Sequence, residues 1–189
     1  GVATLEKFVK EGGILVGEMG TGIADGHGKM LSHGRLDHLF GINRQDSRIL
    51  ERKDSAVRNA HSLGMRFPEM PFAYLETGLS AASAEVLATA KENALPVSFV
   101  NKVGKGLAVY VAIDLFSSYF GQNSARGIGN NPKYTAEVED FITALAARGG
   151  VTPRIEIQTA DGGRVPFART VMFTQGDVRY FGILRDHSL

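Results

Sequence analysis

Leu5–Ile42 reads LEKFVKEGGILVGEMGTGIADGHGKMLSHGRLDHLFGI. Leu5, Phe8 and Val9 recur at i, i+3 and i+4, which puts three apolar side chains on one helix face. Lys7 and Lys10 fall in the last turn and Gly12-Gly13 follow, the composition of a helix C-terminus. Ile14-Leu15-Val16 is a short, continuous apolar run, as in a strand covered on both faces. The glycine-rich stretch 17–28 comes next, and then Leu36, Leu39, Phe40 and Ile42 mark a short second helix with Gly41 near its end. Helix, strand, loop, helix is the order of an α/β layered domain. In such domains the loop beyond the strand's carboxyl end is where active sites sit.

The question is whether Gly17–Gly28 carries chemistry. It contains a Gly-x-Gly, but a phosphate or dinucleotide loop must open directly into a helix. Here Asp25-Gly26 and His27-Gly28 continue the turn instead, so the reading is a connection whose glycines take positive φ. His27, Asp37 and His38 do not match a metal-ligand spacing, and His33 and His38 lie five apart, off a shared helical face. No metal or cofactor is expected, and solvated histidines are the reading for this region.

Outward from that stretch, composition bounds the rest. The 189 residues suffice for one domain with a small appendage. A net charge of +1, from 21 basic and 20 acidic residues without long single-sign blocks, argues against a nucleic-acid partner. No apolar run approaches the ~20 residues needed to span a bilayer, and no signal-peptide pattern opens the sequence. A soluble chain, with the cytoplasm favoured, is the expectation. With no cysteine there is no thiolate nucleophile, disulfide or metal–thiolate site.

Residues 43–71 carry the mixed-charge runs Gln45–Arg48 and Glu51–Asp54 with few apolar residues, which reads as a solvated helix or long surface loop, with a partner-binding surface as the alternative. Phe72–Leu79 and Ala84–Ala88 read as strands. Pro96–Asp114 reads as a hairpin turning at Gly104-Lys105-Gly106, its second strand largely buried. Lys105 lacks the glycine spacing and following Ser/Thr of a nucleotide loop, and is a solvated turn residue. Ser117 and Ser118 lie in a polar loop without a nucleophile elbow. Asn131-Pro132 opens a helix carrying Val138, Phe141, Ile142 and Leu145, and ending at Arg148-Gly149-Gly150. From Val151 the period changes to 2, with strands at Arg154–Gln158, Val165–Phe167, Val171–Phe173 and Arg179–Leu184. A segment of that length cannot bury a core alone. The division is therefore 1–150, an α/β domain, and 151–189, a short β-rich segment that docks on it or begins a β-sandwich module.

Three segments together resemble a family: the opening helix with Gly12–Val16 and Thr21-Gly22; Leu36-Asp37-His38-Leu39-Phe40-Gly41-Ile42; and Asn101–Gly106 with the apolar strand to Asp114. They are similar to the β-galactosidase trimerisation domain of family-42 glycoside hydrolases over residues 4–148. The resemblance implies a flavodoxin-like, class I glutamine-amidotransferase-like sheet with helices on both faces, here without the family's first strands and helices. It implies a homo-oligomer, a trimer, with a catalytic barrel in the same protein and that barrel holding the catalytic glutamates. Amidotransferases of this fold place a cysteine nucleophile on the turn after a buried strand. Met19 stands near that place, and a thioether has no proton to lose. No histidine occupies Val111–Leu115, where the partner base would follow.

The expectation is a non-catalytic assembly module with no catalytic, cofactor or metal residues of its own. Glycoside hydrolysis within the chain would need two facing carboxyl groups about 5–10 Å apart. Glu18, Asp25, Glu76 and Asp114 lie near strand ends, and Glu18 with Asp114 is the pair to inspect. The alternatives are an amidotransferase-like hydrolase using Ser117 or Ser118, and a carbohydrate-binding module with platforms among 5 Tyr and 11 Phe but no Trp.

Overall fold

A computed structural model describes residues 1–59, 61–116, 132–163, 165 and 168–185, which form two compact units, 1–150 and 151–189. Unit 1 is of the α/β class. The opening helix α1 (Val2–Lys10) closes on the Gly12-Gly13 turn and feeds β1 (Ile14–Glu18). After the loop come α2 (Asp37–Phe40), β2 (Ile42–Asn59), the small ladder β3 (His61–Ser62) with β4 (Met65–Arg66), and β5 (Pro71–Ala81). Then follow β6 (Glu85–Ala90), β7 (Pro96–Val103), β8 (Gly106–Val111) and the helix α3 (Pro132–Arg148). The helix, strand, short helix and hairpin expected around Leu5–Ile42 and Pro96–Asp114 are all present.

The main sheet has six strands in the order β1-β8-β7-β6-β2-β5. β1 runs parallel to β8, with Ile14 beside Leu107 and Glu18 beside Val111, and the other pairings are antiparallel. The sheet curls. Although β5 ends the order, Leu75 bridges Ile113 just beyond β8, and the Glu76 N–H donates to the Ala112 carbonyl at 2.7 Å. Within the curl, Phe40, Phe72, Phe99 and Tyr110 are buried, and Phe40 meets the Tyr110 ring at 5.0 Å. On α3, Val138, Phe141 and Leu145 are buried at the predicted spacing, and Phe141 packs edge-on against Phe67. Fully burying a side chain of this size is worth about 1.5–3 kcal/mol, so this apolar set carries the stability of the unit.

Residues 43–71 correct the sequence reading. The first part of the stretch, to Asn59, is neither helix nor loop but β2, the longest strand among the described residues, which pairs with β5 from Ile42–Ala81 to Ala56–Pro71, and the small β3–β4 ladder follows. The period of β2 is hidden for two physical reasons. The inward positions are held by Ile42 and Arg44, so a charge stands where alternation predicts an apolar residue. A bulge then sets three residues, 45–47, opposite the single Gly78, and shifts the phase. Gly78 suits the bulge, with φ of +76° and space so tight that a Cβ would stand 2.2 Å from the Gln45 carbonyl oxygen.

Among the described residues, unit 2 holds one hairpin, β9 (Ala168–Gln175) and β10 (Val178–Arg185), turning at Gly176-Asp177 in unbroken register. Val171–Phe173 and Arg179–Leu184 fall on these strands as expected. Arg154–Gln158 forms no extended strand, and of its residues Gln158 alone takes part in an isolated bridge. Val165–Phe167 lies mostly outside the described residues.

Candidate functional site

The loop after β1 ends on a buried polar cluster. Four elements supply it: Asp37 from α2, Arg44 and Ser47 from β2, Glu76 from β5 and Tyr110 from β8. In a regular strand, residues 44 and 47 would point to opposite faces. The bulge turns Ser47 so that both side chains reach the same carboxylate. Glu76 Oε1 accepts from Arg44 Nη1 and from the Ser47 hydroxyl, while Oε2 accepts from the Tyr110 hydroxyl. Oε2 also accepts the backbone N–H of Gly20 at 3.0 Å, which donates equally to Tyr110 Oη. On its other side Arg44 meets Asp37 Oδ1 at 3.0 Å through Nη2 and lies over the Tyr110 ring. Asp37 Oδ2 takes the Gly34 N–H at 2.7 Å.

Arg44, Glu76 and Asp37 are all more than nine-tenths buried. Burial opposes the guanidinium's charge, but the bonds from Asp37 and Tyr110 outweigh it and hold Arg44 above its ordinary value. Burial also pushes the Tyr110 hydroxyl up, and Arg44 offsets this only in part. Tyr110 therefore stays protonated and acts as a donor. A buried ion pair of this kind is close to neutral in net stability, because desolvation cancels most of the attraction. What the cluster supplies is geometry.

The other three carboxylates singled out from the sequence, Glu18, Asp114 and Asp25, accept from backbone N–H groups. Glu18 Oε1 accepts the Phe116 N–H at 2.7 Å, and Asp114 Oδ1 accepts the N–H groups of Ala73 and Tyr74, both at 2.9 Å. Asp25 closes its turn by accepting from the N–H groups of His27 and Lys29, which lowers its carboxyl below the usual range. Met19 lies half-buried in the turn beyond β1, and Gly20, Gly22 and Gly28 take positive φ as the loop reading expects. His38 Nε2 pairs with Glu6 Oε1 at 2.7 Å, Asp37 is engaged by Arg44, and His27 and His33 are exposed. Among the described residues no three His, Asp or Glu side chains converge on a metal-sized site. Lys105 is an exposed turn residue, and Ser117 and Ser118 lie outside the described residues.

Of the cluster, the sequence points to Glu76 as a carboxylate near a strand end and to Asp37 as a metal candidate and part of a family segment. It does not single out Arg44, Ser47 or Tyr110 as site residues. The available signal was phase: Arg44 two residues after buried Ile42, and Tyr110 within the apolar run of β8.

The family profile described as the β-galactosidase trimerisation domain matches residues 1–123. The chain belongs to that family. Among solved structures, this trimerisation-domain chain is similar to the β-galactosidase from Rahnella sp. R3, at 22% identity and a TM-score of 0.69, over 96% of this chain and 24% of that one. A GH42 β-galactosidase from G. stearothermophilus gives 20% identity and 0.67, over 96% and 23%. The β-galactosidase from Bacillus circulans sp. alkalophilus gives 19% and 0.63, over 97% and 25%. At these identities the likeness is one of fold, and the chain spans about a quarter of each enzyme's length. None of the curated proteins matches it significantly. No helix among the described residues is long and apolar enough to cross a membrane.

Proposed function

We propose that this trimerisation-domain chain is the non-catalytic assembly module of a β-galactosidase-like glycoside hydrolase, joining three copies and seated beside a catalytic barrel in the same polypeptide. Family membership carries the reading. The state of the loop after β1 agrees with it. Met19 near the nucleophile's place cannot form an acyl-enzyme, and Glu18 Oε1 and Asp114 Oδ1 accept from backbone amides.

The finer architecture belongs to the same proposal. Residues 1–150 are part of an amidotransferase-like layered sheet with helices on both faces. Two contacts support this. The Phe40 ring of α2 lies where a Cβ on Gly17 would be, and the end of α3 at Gly149 reaches Ile14, three residues away in the same strand and so on the opposite face. Residues 151–189 are the opening of a β-sandwich module, and the parent protein is cytoplasmic with no nucleic-acid or membrane partner.

Sedimentation velocity of the chain, alone and with a family-42 barrel domain added, tests the assembly role. A species of three copies, or a complex with the barrel, is expected. A monomer that ignores the barrel at tens of micromolar would overturn the reading.

A further inference from the structure

Residues 19–36 leave the sheet at one side of the buried cluster and return at the other. The first foot is Gly20, whose N–H rests on Glu76 Oε2 and Tyr110 Oη. The second is Gly34, whose N–H rests on Asp37 Oδ2. Arg44 joins the two, bonding Asp37 on one side and Glu76 and Tyr110 on the other. Between the feet the loop is zipped to itself, with Leu31 N–H to the Ile23 carbonyl, Arg35 N–H to the Gly22 carbonyl and a bridge from Ala24 to Met30. Its tip is solvent-facing, and Met30 is 62% exposed.

We propose that Glu76 is a latch: its carboxylate holds residues 19–36 against the sheet as a single body, and loss of that carboxylate frees the loop while the curled sheet stays folded. The chemistry lies in the four donors. Arg44 and Ser47 point at Oε1, and Tyr110 and Gly20 point at Oε2, so an ionised carboxylate satisfies all of them. A carboxamide cannot. Its oxygen turns to Arg44, which has no acceptor to offer in exchange. Its NH₂ then faces Tyr110 and Gly20. The tyrosine hydroxyl can rotate to accept, but the Gly20 N–H is fixed by the backbone and meets another donor. The disturbance therefore falls on the loop's first foot, and the zipped loop passes it to the second. Segments that open as one unit while the core holds are seen in native-state exchange.

Hydrogen exchange of the whole chain at one pH and temperature tests this. In Glu76→Gln the amides of Thr21, Ile23, Leu31 and Arg35 should exchange about tenfold faster together, the size of one net hydrogen bond, while those of β7 and β8 keep their wild-type rates. Ser47→Ala, which removes a donor to Oε1 without touching the loop, should leave both sets unchanged. An unchanged loop in Glu76→Gln, or equal release by Ser47→Ala, overturns the latch. So does acceleration of loop and strands in parallel, which would make the carboxylate a support of the whole unit. Should Glu76→Gln fail to fold, Glu76→Asp decides. It draws the carboxylate back by one methylene from the Gly20 N–H, and faster exchange confined to the loop supports the latch, whereas none or a global rise overturns it.

Discussion

Asp114 stands just past β8, where the curl of the sheet brings β5 back, and one of its oxygens takes the N–H groups of Ala73 and Tyr74. The carboxylate is 5% exposed, so its removal leaves two donors with little access to water. Asp114→Ala should cost about 2–6 kcal/mol, as each of the two buried donors left unsatisfied costs roughly 1–3. Asp114→Asn, which keeps an oxygen in place, should cost distinctly less, and urea unfolding of both variants measures the difference. The same residue shows how far the sequence could be read. Its position at the end of an apolar strand was plain, and chemistry was the natural suspicion. Its true engagement depends on β5 arriving from residues 73–74, a contact no local pattern encodes.

Among the elements, legibility followed the regularity of burial. α1, β1, the β7–β8 hairpin and α3 each keep one period from end to end, and each was readable. β2 does not, since Arg44 occupies an inward position and the bulge at 45–47 resets the phase. The cluster was illegible for the same reason: the features that build it are those that break the pattern. The joint between α1 and β8 allows a sharper test. A Cβ on Gly106 would lie 2.2 Å from the carbonyl oxygens of both Val9 and Gly13. Both are backbone atoms, so α1 and its terminal turn would have to lift from the sheet. Gly106→Ala should cost about 1–3 kcal/mol, at the upper end of what overpacking brings. Gly26→Ala, with nothing within 4 Å of the added carbon, is the control and should stay within about 0.5 kcal/mol by thermal melting.

For the molecule as a whole, the two units differ in how they are built. Unit 1 has a buried core, whereas the β9–β10 ribbon shows apolar side chains on both of its faces. Phe173 and Tyr180 stand opposite each other on one, with Phe181 and Ile183 on the other, and all four are more than half exposed. A two-stranded ribbon is marginal by itself in water. A chain cut after Gly150 should therefore keep the cooperative thermal transition of unit 1 within a few degrees, while a peptide of 151–189 should give the narrow amide dispersion of an unfolded chain in NMR. Loss of the transition on truncation would reject the boundary at 150.

The parallel pairing of β1 with β8 has a consequence for how the protein is made. Ile14-Leu15-Val16 leaves the ribosome roughly 90 residues ahead of its ladder partner, Leu107–Val111. At about 5–20 residues per second the early strand waits some 5–20 s with its hydrogen-bonding edge unfilled. Over that interval an apolar β-prone segment stands open to chaperones and to other nascent chains. The antiparallel strands β6, β7 and β8, each paired with its neighbour in sequence, can form while β1 waits, so β1 is made before them and seated after them.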